Sequence, residues 1–218
     1  MWAARQAAAC STAISGSATA PRPGRWSGIR TCAIPRLTEA LDSEAFLKLL
    51  NEYFECATRP AIEAGGEVLA FIGDAVLVIY PLDETETDGP GITHAVLKAV
   101  KESFALRDVA NVGRRQKGLE LIEFGVGLNL GSVVFGNIGV PERLAFTVIG
   151  ATVTEVERIE KLTKQMTHDV LASAEVAALS PGAWVSVGEH ALNGVARPME
   201  LFTPRREQAA TTSAQASG

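Results

Sequence analysis

The stretch GGEVLAFIGDAVLVIYPLD, residues 65–83, decides how the rest of this chain is interpreted. Two apolar runs of strand length, residues 68–72 and 75–80, flank the pair Gly73-Asp74. This pattern predicts two buried strands joined by a tight turn. Asp74 then has two interpretations: its carboxylate shapes the turn by bonding backbone amides, or it is an oxygen ligand for a hard divalent cation.

The segment before this hairpin predicts a helix. Apolar side chains recur at helical spacing after Asp42 and Ser43, either of which is a suitable N-terminal cap. Pro60 is expected to kink or split the helix, and the pair Gly65-Gly66 is expected to end it.

Strand and helix patterns continue to alternate after the hairpin. Residues 83–91 are a polar loop, and helices are expected at 92–112 and 151–166. A strand pair interrupted by glycines, a strand, a short helix and a closing hairpin are expected at 119–139, 169–173, 174–179 and 183–204, respectively. The predicted fold class is α+β, a ferredoxin-like sandwich of a mostly antiparallel sheet with helices on one face.

The composition of the chain argues against several classes of function. The 218 residues are 47% hydrophobic and 21% charged, which is typical of a globular domain. Five of the 20 basic residues and none of the 25 acidic residues lie in the first 36 positions, so the rest of the chain is acidic and unsuited to nucleic acid. The three cysteines and three histidines lack metal-ligand spacing, and no run reaches the roughly 20 apolar residues of a membrane span.

The two ends of the chain differ from its centre. Residues 1–36 have no strand or helix periodicity, and we expect them to be a targeting leader, a disordered segment or a start that is not native to the fold. Residues 205–218 are low in complexity and are expected to be disordered. The expected domain is therefore 37–204, with its N-terminal part incomplete.

Several stretches of the chain together resemble the catalytic domain of class III adenylate and guanylate cyclases. They occur in the family's order over residues 37–204 and read LLNEYFE, GGEVLAFIGDAVLVIYP, FGVGLNLGSVVFGNIGVPERLAFTVIG, ATVTEVERIEKLT and LNGVARPMELF. The resemblance implies conversion of a nucleoside triphosphate, ATP in preference to GTP, to a cyclic nucleotide and pyrophosphate. It also implies Mg²⁺ or Mn²⁺ held by two aspartates, a homodimer or heterodimer with nucleotide at the interface, and a cytoplasmic role in cyclic-nucleotide signalling.

The resemblance assigns roles to individual positions. Asp74 falls on a metal-binding aspartate, and Arg158 falls on the arginine that stabilises the transition-state phosphate. Ala70 and Ala151 fall on base-reading positions, and Thr154 falls on the position of a ribose-binding asparagine, so these three are substituted. Helical spacing leaves another interpretation open, in which Arg158 pairs with Glu155 and Glu157 pairs with Lys161 on a solvated face.

The first metal-binding aspartate of the family falls near Arg30, and no acidic residue precedes Glu39. A guanidinium at that position would repel a divalent cation, and the first strand is expected to be missing or unrecognisable. We therefore expect a weak or inactive cyclase that makes cyclic AMP. One alternative is a pseudo-cyclase module that dimerises with or regulates a competent partner. Another is a nucleotide-binding domain with altered base preference, because alanines do not discriminate between purines.

Five glycines, at positions 125, 127, 131, 136 and 139, allow two interpretations. They form a cradle for phosphate, or they mark bulges and sharp turns in strands.

Overall fold

The computed structural model describes residues 26–35, 42–82, 89–140 and 143–205. The leader and tail expected at 1–36 and 205–218 thus lie largely outside the described residues. The strands are β1 (Trp26–Pro35), β2 (Glu67–Ile72), β3 (Ala75–Leu82), β4 (Phe124–Val140), β5 (Arg143–Ile149), β6 (Val170–Ser173), β7 (Trp184–His190) and β8 (Met199–Pro204). The helices are α1 (Ser43–Glu63), α2 (Gly89–Gln116), α3 (Ala151–Thr163) and α4 (Ala174–Ala178), and a 3-10 turn spans Pro181–Ala183.

The strands form one sheet in the order β2-β3-β1-β4-β6-β8-β7. All neighbours are antiparallel except β4 and β6, and β5 pairs with the second half of β4. The predicted α+β class with a mostly antiparallel sheet is confirmed. Within the described residues, no helix combines the length and hydrophobicity needed to cross a membrane.

The expectation of a missing first strand is corrected. β1 lies in the middle of the sheet, between β3 and β4, inside the segment that we expected to be outside the fold. Arg30 pairs with Ile79 on one side and with Asn129 on the other. A strand paired on both sides is specified mainly by its neighbours, which local sequence patterns do not reveal.

Helices cover both faces of the sheet, in contrast to the single covered face that we expected. On one face, Val76, Val78 and Tyr80 of β3 pack in the core cluster that contains α1 and α2. On the other face, Ala75, Leu77 and Ile79 pack against Val153 and Val156 of α3. Side chains of a strand alternate between faces, so the continuous apolar run of β3 reflects burial on both sides.

Glycines of β4 bring α3 unusually close to the sheet. A Cβ atom on Gly127 would lie 2.7 Å from the carbonyl oxygen of Val156, and one on Gly131 would lie 2.5 Å from Oγ1 of Thr152. Gly125 faces the side chain of Thr163 in the same way. These three glycines mark neither a phosphate cradle nor a bulge, and both interpretations are corrected for them: they accommodate a helix. Residues 136 and 139 lie in the part of β4 that pairs with β5.

Helix α1 begins and ends as predicted. The side chain of Asp42 accepts a hydrogen bond of 2.8 Å from the backbone N–H of Ala45. Gly65 follows the helix with φ of +88°, a conformation that favours glycine. Pro60 does not split the helix, because α1 continues unbroken to Glu63.

Two further predictions change in detail. The glycine-rich segment is one continuous strand, β4, instead of a strand pair, and α2 begins at Gly89 inside the predicted loop.

Both outer strands of the sheet carry a register shift, between Val68 and Ala70 in β2 and between Ser186 and Gly188 in β7. Each shift inserts one extra residue, as in a β-bulge.

Candidate functional site

The turn between β2 and β3 presents the carboxylate of Asp74. Gly73 has φ of +63° and precedes Asp74 in a two-residue hairpin loop between the paired residues Ile72 and Ala75. Asp74 is partly exposed, and its side chain makes no hydrogen bond or ion pair in the part of the chain that the structure describes. The carboxylate does not shape its own turn by bonding to the backbone, so it is available to a ligand.

The bulge in β2 sets the direction of Ala70. Because Leu69 is the extra residue, Ala70 pairs with Leu77 and lies on the face of the sheet that α3 covers. Ala70 is half-buried, and its methyl group offers no hydrogen bond to a bound base.

The other three predicted positions lie on one stripe of α3. Ala151 and Thr154 are exposed and Arg158 is half-buried, at the spacing of one helix face. The Nε atom of Arg158 is buried and has no hydrogen-bond partner. Neither ion pair that the spacing allowed is formed among the described residues, since Glu155 instead accepts a hydrogen bond of 2.8 Å from Nδ2 of Asn129. The sequence did not single out Asn129.

The structure does not bring Asp74 together with the start of α3. Thr152, near the start of α3, contacts Gly131 of β4. Gly131 pairs with Gly28 of β1, and Gly28 pairs in turn with Pro81 of β3, so the start of α3 is level with Pro81. Asp74 lies seven residues before Pro81, about 23 Å along the strand direction. Within one chain, the position predicted to bind metal and the positions of α3 predicted to bind nucleotide therefore lie at opposite ends of the helix.

The side chains present do not fit a two-metal site. No group of three or more His, Cys, Asp or Glu side chains is placed to hold a metal ion among the residues that the structure describes. Strand β1 contains no carboxylate, and its register places Arg30 opposite Ile79, away from the turn. Mg²⁺ and Mn²⁺ prefer several oxygen ligands, and Asp74 supplies only one carboxylate.

The cavity in the described part of the core is too small for a nucleotide. A cavity of about 20 Å³ lies between α1, α2 and the sheet, and Ala57, Tyr80, Ala99, Ser103 and Phe124 are among its lining residues. This volume suits a single water molecule, whereas pockets for drug-sized ligands measure about 300–1,000 Å³.

Comparison with known proteins assigns a family to this arrangement. The family described as the adenylate and guanylate cyclase catalytic domain matches residues 32–198. An adenylate cyclase of Anabaena cylindrica is 32% identical over 140 residues, 64% of this chain and 27% of that protein. Adenylate cyclase 1 of Rhizobium meliloti is 28% identical over 142 residues, 65% of this chain and 21% of that protein. The chain thus spans about a quarter of the length of these relatives.

Solved structures of cyclases are similar in fold to this chain. The adenylyl cyclase CyaB from P. aeruginosa superposes with a TM-score of 0.67 at 26% identity, covering 87% of this chain and 98% of that chain. The guanylyl cyclase Cya2 has a TM-score of 0.70 at 24% identity, covering 87% of this chain and 97% of that chain. At this identity the second likeness concerns the fold alone.

Proposed function

This chain belongs to the family of adenylate and guanylate cyclase catalytic domains, and we propose that it is a cyclase homology domain with weak or no activity of its own. Where turnover occurs, the reaction is conversion of ATP to cyclic AMP and pyrophosphate. The relatives named above are adenylate cyclases, and this supports ATP over GTP as the substrate.

One observation carries this proposal: Asp74 stands alone. The carboxylate is partly exposed in a defined turn, as a metal ligand would be, but no second carboxylate of β1 accompanies it. Loss of a single preorganised charge stabiliser commonly costs about 10²–10³ in rate. Loss of a metal ligand removes both cation affinity and activation of the attacking hydroxyl, so we expect a cost at least as large.

The substitutions at the nucleotide-reading positions support the same proposal. Ala70 and Ala151 carry no group that hydrogen-bonds a purine, and Thr154 has a shorter side chain than asparagine. Only Arg158, half-buried with an unbonded Nε atom, retains a charge suited to a phosphate. The chain keeps phosphate-directed groups and lacks base-directed groups.

A second candidate function is that of a pseudo-cyclase module that associates with a competent cyclase domain. It is favoured by the separation of about 23 Å between Asp74 and the start of α3, because groups at opposite ends of one chain meet only across two chains arranged head to tail. Exposed apolar residues on paired strands, Val134 and Ile149, provide surface for such contact. The partner is a second copy or a related domain with complete metal ligands.

The deciding experiment quantifies cyclic product from the purified protein with ATP or GTP and Mn²⁺. The matched control is Asp74→Asn, which preserves the size of the side chain and removes its charge. Product that disappears in the control supports an Asp74-dependent cyclase. No product at high protein concentration, combined with a change in the rate of a competent cyclase domain on mixing, supports the pseudo-cyclase module. No product and no effect on mixing contradict the pseudo-cyclase module, and product that persists unchanged in Asp74→Asn contradicts an Asp74-dependent cyclase.

A further inference from the structure

The face of β4 that α3 covers has an unusual composition. The four successive positions that point to this face are Gly125, Gly127, Asn129 and Gly131, because side chains alternate along a strand. Three of them lack a side chain and allow the helix to approach. Asn129 is the exception: it is 1% exposed, and its Nδ2 donates to Oε2 of Glu155 at 2.8 Å.

At the start of α3, the other side-chain hydrogen bond that the structure describes is longer. The N-cap residue of the helix, Gly150, has no side chain to bond the free N–H groups of the first turn. The Oγ1 atom of Thr152 reaches the carbonyl oxygen of Ser132 at 3.3 Å, which is long for a hydroxyl donor. The bond from Asn129 to the Glu155 carboxylate is shorter and charge-assisted, so it is the stronger of the two.

A face lined by glycines allows a helix to pack closely but does not fix the rotation of that helix. Apolar contacts hold α3 against the sheet, but they distinguish poorly between small rotations or shifts of the helix. A buried polar bond has a required geometry and is the best-attested device for fixing the register of packed elements. Among the four β4 positions on this face, only Asn129 can offer α3 such a bond, and it does so to Glu155.

We propose that Asn129 is a positioning residue, which through Glu155 fixes the rotation of α3 and so the direction in which Thr154 and Arg158 are presented to a nucleotide. Glu155 directly follows Thr154 and lies one turn before Arg158, so a change at its carboxylate moves both. The proposal rests on the proposed function only for the identity of the ligand.

An exchange of the two groups tests the proposal. The variants are Asn129→Asp, Glu155→Gln and the double variant, in which a glutamine amide faces an aspartate carboxylate. The measurement is the dissociation constant of a fluorescent ATP analogue with Mn²⁺, together with the melting temperature. We expect Asn129→Asp to weaken binding by about tenfold or more, since two carboxylates then face each other. The double variant should recover to within about threefold of the starting protein.

A charge change in β8 serves as the control. Glu200→Gln removes the charge from an exposed bond with Ser186 and should leave analogue binding unchanged. Unchanged binding in Asn129→Asp, or a double variant as impaired as that single variant, overturns the proposal. If Asn129→Asp does not fold, Glu155→Ala and Glu155→Gln replace it: the alanine should impair binding and the glutamine should retain most of it, and equal impairment overturns the proposal.

Hydrogen exchange separates this proposal from the proposed function. If the starting protein binds no analogue, its nucleotide role fails, but exchange of the α3 amides still reports the helix position. We expect amides of residues 151–158 to exchange about tenfold faster in Asn129→Asp and to recover in the double variant, with α1 unchanged. Exchange in α3 that is insensitive to the swap overturns the positioning role.

Discussion

Arg30 pairs with Ile79 across β1 and β3, and Asp74 lies five residues before Ile79, about 16 Å away along the strand. The position in β1 that adjoins the Asp74 turn is instead Ile34, since Ala33 pairs with Val76. Counting residues back from α1 predicted the family's first metal-binding position near Arg30, whereas the β1 residue that strand register brings beside Asp74 is Ile34, four residues later.

A carboxylate installed beside the turn should therefore create a cation site. We expect Ile34→Asp to raise Mn²⁺ affinity by about tenfold or more, measured by electron paramagnetic resonance of free Mn²⁺. Addition of Asp74→Asn should remove the gain. Arg30→Asp is the matched control and should give no comparable gain, and a larger effect from Arg30→Asp than from Ile34→Asp would show that the register argument is wrong.

Gly127 should not tolerate a side chain. The Cβ atom of Gly127→Ala would press on the backbone of α3, at 2.7 Å from the Val156 oxygen and 2.8 Å from the Glu160 nitrogen. We expect a loss of about 1–3 kcal/mol in the free energy of unfolding, measured by urea denaturation. Gly113→Ala is the control, because Gly113 lies in α2 with nothing near its Cβ position, and it should stabilise by about 0.5–1 kcal/mol. Equal effects would contradict the close approach of α3.

Arg114 should stabilise the junction between α2 and the strand that follows. It is 7% exposed, and it donates to Glu52 Oε2 and to the Glu120 carbonyl oxygen, each at 2.5 Å. We expect Arg114→Ala to cost about 1.5–3 kcal/mol of unfolding free energy. Arg59→Ala, which breaks an exposed pair with Glu55, should change stability by about 0.5 kcal/mol or less. Similar losses in both variants would refute a special role for Arg114.

Tyr80 should make the protein sensitive to alkali. Burial raises the pKa of its phenol, so the folded state holds this proton at a pH where the unfolded state releases it. The contribution is complete below the unfolded pKa of about 10 and is lost as the pH rises above it. Urea denaturation from pH 8 to 11 should show stability falling above about pH 10, with a shallower fall in Tyr80→Phe. Identical profiles would argue against this assignment.

Local patterns predicted the elements that carry their own signals. Apolar spacing in α3, the Asp42 cap of α1 and the Gly73-Asp74 turn were all recognised from short windows, because their causes lie within a few residues.

Contacts between distant residues account for what the sequence did not reveal. β1 has no alternation of its own and exists through pairing with β3 and β4. The glycines of β4 have their meaning only beside α3, and the bond of Asn129 joins residues 26 positions apart. Asp74 and the start of α3 lie far apart along the sheet, and this separation follows from strand register, which local patterns do not reveal.

The bulges in β2 and β7 bear on how this molecule meets others. An unpaired strand edge is a template on which a further chain can add by backbone bonding, and an inserted residue interrupts that template. Because the outermost strand at each end of the strand order carries such an interruption, copies of the molecule are hindered from extending one another into a continuous ribbon. Strand addition at β2 and β7 is thereby discouraged, which leaves the exposed apolar side chains of β4 and β5 for contact with another protein.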